Sequence, residues 1–178
     1  PNKTDAYDLM AQSYLHVEKN RLEAYYYARK QLEVADEQSK PAAQYLVDQI
    51  AGDLASDYDN YFQSRNCMDQ ARAFFQSARF DDAYRVLSNC RDLSGLPGDY
   101  FLLFGKVCDE VGKFKDAVFA YERCLALGME NGDICYRLGW SYLNSGDRKN
   151  AEIAFKRSAG FEETRVKAQK MLEQIRQK

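Results

Sequence analysis

Proline is scarce, at three residues in 178, and the chain has one histidine, one tryptophan and no apolar run approaching the ~18 residues a membrane span needs. So few helix breakers, with 46% apolar residues in a chain this long, point to an all-α protein that buries a real core. Lys and Arg number 25 against 27 Asp and Glu, a net charge of −2, with basic residues interleaved among acidic ones. That balance excludes the bulk basicity of nucleic-acid and anionic-membrane binders, so neither nucleic acid nor a membrane span is expected.

The five cysteines, Cys67, Cys90, Cys108, Cys124 and Cys135, include no Cys-x-x-Cys, and His16 lies 51 residues from the nearest of them. Tetrahedral zinc ligation has no support in such spacing, and neither a metal nor a cofactor is expected. An odd cysteine count in a mid-sized chain predicts free thiols in a reducing, cytoplasmic setting. Pro1-Asn2-Lys3-Thr4 shows neither Met nor the layout of a secretory signal, which predicts a chain excised from something longer.

What is present is a repeat. Gly98/Gly132, Gly105/Gly139 and Gly112/Gly146 are each 34 residues apart. The same period aligns Ala83, Ala117 and Ala151, then Leu87, Tyr121 and Phe155, then Phe74, Cys108 and Tyr142. Three repeats follow, 64–97, 98–131 and 132–165. Small residues at fixed positions let paired helices approach closely, and large ones fill the space between pairs. Stacking buries the faces that a single pair leaves open.

The third unit reads Leu138-Gly139, Tyr142, Gly146-Asp147, Ala151 and Phe155, and it closely resembles the tetratricopeptide repeat. The second repeats the pattern with Phe104-Gly105, Gly112, Phe114, Ala117 and Tyr121. The first keeps Phe74, Phe80, Ala83 and Leu87 but has Ala78 where the family prefers a turn glycine. The resemblance implies a right-handed superhelical solenoid of antiparallel helix pairs. In it, 166–178 is a C-terminal capping helix, with Val166, Ala168, Met171, Leu172 and Ile175 on one stripe.

Residues 1–63 read as an N-terminal helical extension. Asp5–Val17 and Arg21–Asp36 form a degenerate repeat-like pair, and Pro41 is placed to start an additional helix. Leu46, Ile50, Leu54, Tyr58 and Phe62 continue at four-residue spacing, which fits one long helix or two, with Ser56-Asp57 as the expected break. Residues 1–60 carry six basic against eleven acidic residues and seven of the thirteen tyrosines. That richness makes self-association through the N-terminal helices, as a homodimer, one reading to test. The Tyr25-Tyr26-Tyr27 run is expected to serve mainly in packing.

Catalysis needs convergent polar groups, and the candidates do not converge. His16 is the sole imidazole. The pairs Asp81-Asp82, Asp109-Glu110 and Glu162-Glu163 are adjacent in sequence, so they point apart and read as solvated. There is no Gly-x-Gly-x-x-Gly, phosphate loop or His-Glu-x-x-His. The expectation is a non-catalytic protein acting through its surface.

The resemblance implies where that surface lies: a concave groove formed by the first helix of each pair. Its expected lining is Met68, Arg72, Phe75, Leu102, Lys106, Tyr136, Arg137, Trp140 and Leu143. Trp140 is the expected anchor, with packing under a terminal helix as its alternative, and Arg72, Lys106 and Arg137 would form a positive stripe. A partner protein or peptide segment with apolar and acidic residues would fit. The subset of the family that clamps chaperone C-termini uses Lys and Asn where this chain has Met68, Arg72, Leu103 and Asp133. Only Arg137 matches it. The leading function is an adaptor or scaffold; the alternative is a chaperone of secreted proteins, since the overall plan resembles the type III translocator chaperones.

Overall fold

Helices form every regular element among the described residues. They are α1 (Lys3–His16), α2 (Arg21–Val34), α3 (Lys40–Ala51), α4 (Ala55–Gln76), α5 (Phe80–Cys90), α6 (Gly98–Glu110), α7 (Phe114–Ala126), α8 (Gly132–Asn144), α9 (Arg148–Ser158) and α10 (Arg165–Gln177). A 3-10 turn at Glu162–Thr164 precedes α10. This computed structural model describes residues 3–17, 20–51, 55–93 and 95–177, with the side chains of 55–60 and 177 outside the description. The chain divides into two compact units, Pro1–Gln63 and Ser64–Lys178.

In the first unit, the starts of α2 and α3 have local causes. The Asn20 side chain accepts the Glu23 backbone N–H at 3.2 Å, and Asp36 accepts the Ser39 N–H at 2.8 Å just before α3, satisfying donors the helix cannot. Pro41 falls in the first turn of α3, where a missing N–H costs nothing. Ala11, Ala24 and Ala28 are fully buried, and with Leu46, Val47 and Ile50 they form the core of this unit. The tyrosines are packing elements: Tyr26 is buried, and Tyr27 stacks on Tyr14 at 5.5 Å between ring centroids. Ser56-Asp57, the expected break, is helical within α4; of the stripe, Leu54 and the side chain of Tyr58 lie outside the described residues.

The second unit shows its period directly. The helices α5, α7 and α9 start at Phe80, Phe114 and Arg148, and α6 and α8 at Gly98 and Gly132, all 34 residues apart. A Cβ on Gly139 would lie 2.9 Å from the Phe155 ring, and one on Gly105 would lie 2.6 Å from Tyr121. Only glycine admits the large aromatic of the following helix so closely. The buried core runs through Leu87, Phe101, Phe104, Cys108, Tyr121 and Leu138. At the C-terminal end, α10 packs Met171, Leu172 and Ile175 against Ala151 and Phe155 of α9. No described helix is long and apolar enough to cross a membrane.

Cys67 on α4 and Cys90 at the end of α5 are joined by a disulfide, with their Cα atoms 6.6 Å apart. That separation is within bridging range. The expectation of five free thiols is corrected here. The physical reason is the helix pair, which brings repeat positions four and twenty-seven together. The second repeat has Phe101 and Cys124 there and the third Cys135 and Ser158, so only the first has sulfur on both sides. Cys108, Cys124 and Cys135 are free and buried. Burial raises their thiols, Cys124 to about 11, which suppresses the nucleophilic thiolate.

Candidate functional site

The helix α8 buries Ile134, Cys135, Leu138, Gly139 and Ser141 on its inner face. At helical spacing, that leaves Asp133, Tyr136, Arg137 and Trp140 on the outer one. These four, with Asp109 and Glu110 from α6 and Lys167 from α10, line a hollow of about 460 Å³. A second hollow of about 220 Å³ lies on α6 and α4, lined by Arg72, Asp99, Leu102, Leu103 and Lys106. Trp140 is 42% exposed at the first, so α10 does not bury it.

The charges of the larger hollow are largely satisfied within the protein. Arg137 donates to Asp133 at 2.9 Å and sits 3.7 Å from Asp109. Lys167 reaches Asp133 at 3.3 Å and lies 4.5 Å from the Tyr136 ring centroid. Asp109 is only 10% exposed; it accepts from Tyr121 at 2.7 Å and from Ser141 at 2.8 Å. Burial pushes the Asp109 carboxyl above its usual range, the two hydroxyl donors and Arg137 opposing it in part. Burial also acts on Asp133, but the hydrogen bond and charge of Arg137, with those of Lys167, outweigh it and hold that carboxyl low.

The expected groove residues separate into three groups. Tyr136, Arg137 and Trp140 line the larger hollow, and Arg72, Leu102 and Lys106 the smaller. Met68 is 0% exposed and belongs to the core. Phe75 packs edge-on to Phe80 at 5.3 Å, and Leu143 packs against the α9–α10 cluster; neither is among the lining residues of these two hollows. The positive stripe does not stand as three free cations, because Arg137 bridges two carboxylates and Arg72 lies 3.9 Å from Asp69. Asp109 is also corrected: its adjacency to Glu110 read as a solvated pair, whereas α7 and α8 cover it. Lys167 was legible only as a water-facing residue of α10.

The tetratricopeptide-repeat profile matches residues 132–164, the segment built of α8, α9 and the 3-10 turn. Residues 132–164 thus form a tetratricopeptide repeat. Among curated proteins, no sequence gives a significant match. Among solved structures, PcrH in complex with the chaperone-binding region of PopD is similar at 19% identity and a TM-score of 0.53, covering 62% of this chain and 89% of that one. A type III secretion complex from Aeromonas hydrophila is similar at 16% identity and a TM-score of 0.55, with 77% and 96% covered. MamA is similar at 18% identity and a TM-score of 0.51, with 93% and 94% covered. At such identities these likenesses show the fold alone. It is the all-helical fold of tetratricopeptide solenoids, and the larger hollow lies on the first helices of its helix pairs. Among the described residues, no three His, Cys, Asp or Glu side chains gather as a metal-holding group.

Proposed function

We propose that this protein is a non-catalytic adaptor that holds a segment of a partner protein along the outer faces of α6 and α8, with Trp140 as the apolar anchor. One observation carries the reading: the chain's only Trp stands exposed beside a hollow of about 460 Å³, while the other large apolar side chains of α8 are buried or half-buried. Aromatic side chains placed this way dominate the energetics of many interfaces. The segment would place an apolar side chain against Trp140 and Tyr136 and an acidic one near Lys106 and Arg72, with Leu102 between them. Arg137 then acts by holding Asp133 and Asp109 in place rather than by adding free charge. Ordering a flexible segment costs affinity, so micromolar binding is expected.

A chaperone of a secreted protein is the second reading, supported by the likeness to PcrH, which is bound to a segment of its partner PopD. Both readings use the same face. Self-association keeps less support, since Tyr7, Tyr14, Tyr26 and Tyr27 contact one another inside the first unit. A cytoplasmic setting belongs to the proposal, and the Cys67–Cys90 disulfide opposes it; the mass of alkylated protein recovered from cells decides the matter.

The test selects peptides from a displayed library on the full chain. Binding should weaken at least tenfold in Trp140→Ala while the unfolding midpoint stays within a degree or two, and in Tyr136→Phe, which keeps the ring on Phe155, it should change less than in Trp140→Ala. Peptides that bind Trp140→Ala as well as the parent would overturn the reading.

A further inference from the structure

A different face of the second unit carries a hollow of about 370 Å³ where the α5–α6 connection meets α7. Its apolar lining includes Phe119 and Leu127, which are 40% and 48% exposed. Arg91 lies 5.4 Å from the Phe119 ring centroid, and Arg123 lies 5.4 Å from that of Phe101.

The next repeat supplies an internal comparison. Adding the 34-residue period to Phe101, Phe119 and Arg123 gives Cys135, Ile153 and Arg157, and these line a corresponding hollow of about 280 Å³. There the arginine is satisfied: Arg157 grips Glu130 through two hydrogen bonds, that from its Nη2 measuring 2.6 Å. The residue one period before Glu130 is Leu96. The upstream hollow therefore keeps the arginine but has a buried leucine in place of its carboxylate. It also has Arg91 where the downstream hollow has Leu125. Among the described residues Arg123 makes no ion pair, and Arg91 makes one, at 3.5 Å, with Asp116. Asp116 is itself shared, accepting from Tyr84 at 2.8 Å.

We infer that this hollow is a second binding site, taking a partner-protein segment in which a large apolar side chain sits beside a carboxylate. The apolar group fills the space against Phe119, Leu96 and Leu127. The carboxylate meets Arg123 and Arg91 as Glu130 meets Arg157 in the next repeat. A guanidinium offers five N–H donors in a fixed fork, so a carboxylate can be held by two at once.

The test uses the full chain and 3-phenylpropanoate as the probe, with 3-phenylpropanamide as its uncharged isostere, followed by amide chemical shifts. The acid should shift Phe119, Arg123 and Leu127 and bind at least fivefold more tightly than the amide. Arg123→Gln should remove that preference while leaving amide binding unchanged. Leu96→Glu should also abolish the preference for the acid, by supplying the internal carboxylate; should it unfold the protein, the Arg123→Gln change still decides. Equal affinity for acid and amide, no shifts at these residues, or an acid affinity indifferent to Arg123→Gln would each overturn the inference. The Trp140 indole signal reports on the α6–α8 face in the same spectra, so the failure of one surface is distinguishable from that of the other.

Discussion

Tyr121 donates its phenolic hydrogen to the carboxylate of Asp109 across 2.7 Å, tying α7 back to α6 beneath the larger hollow. Ser141 donates to the other oxygen of the same carboxylate from α8, so one buried group holds three helices. Replacing Asp109 by Leu strands two hydroxyls and frees Arg137 from one of its partners. We expect a loss of about 2–3 kcal/mol in urea-unfolding stability, against about 1 kcal/mol for Tyr121→Phe, which removes one donor only.

Two carboxylates of the same network should respond to pH with opposite signs. The Asp109 carboxyl is raised above its ordinary 3.8, so the folded state holds that proton more tightly. Its contribution is fully present below 3.8 and is lost as pH rises through the folded-state value. Asp133 is lowered, so its contribution is present above 3.8 and is lost as pH falls through its folded-state value. Measured between pH 3 and 6, the stability of the parent relative to Asp109→Asn should fall with rising pH. Relative to Asp133→Asn it should rise.

Ala78 adopts φ +55°, in the left-handed region where its repeat counterparts Gly112 and Gly146 sit at +69° and +91°. A side chain there is strained, by about 1–2 kcal/mol. Ala78→Gly should therefore stabilise the chain by about 1 kcal/mol once the extra freedom of glycine in the unfolded state is set against it. Gly146→Ala should destabilise it by a similar amount, read from the urea midpoint.

The Cys67–Cys90 disulfide closes a loop with a sequence separation of 23 residues. By the chain-entropy relation, such a loop stabilises by about 3 kcal/mol. Dithiothreitol should lower the stability of the parent by that order, and it should leave a Cys67→Ser, Cys90→Ser double variant unchanged. The buried Cys108, Cys124 and Cys135 should resist alkylation until the protein unfolds.

The glycine spacing made the repeat legible because close helix approach leaves so little choice: at Gly105 and Gly139 any Cβ collides with an aromatic ring. The outer face of α8 was legible for the same reason, since once the inner positions are assigned, Trp140 has one direction left. Met68 was not, because a methionine serves equally in a groove or a core, and at this position it fills the core. The burial of Asp109 was not legible, because it depends on α7 and α8 rather than on its own helix. The disulfide did leave a trace: Cys67 and Cys90 occupy positions four and twenty-seven of one repeat, and an odd total of cysteines does not exclude a single bridge.

The Asp109 network also fixes the order of the repeats. Ser141 and Arg137 serve that carboxylate from α8, and their counterparts one period earlier are Val107 and Leu103. A chain in which 132–165 were replaced by a second copy of 98–131 would match in outline, helix for helix, yet it would set a valine and a leucine against a buried carboxylate. The repeats are therefore alike in shape and unlike in grammar: they stack as copies but can be read in only one sequence, and shuffling them would fail on polarity before it failed on fit.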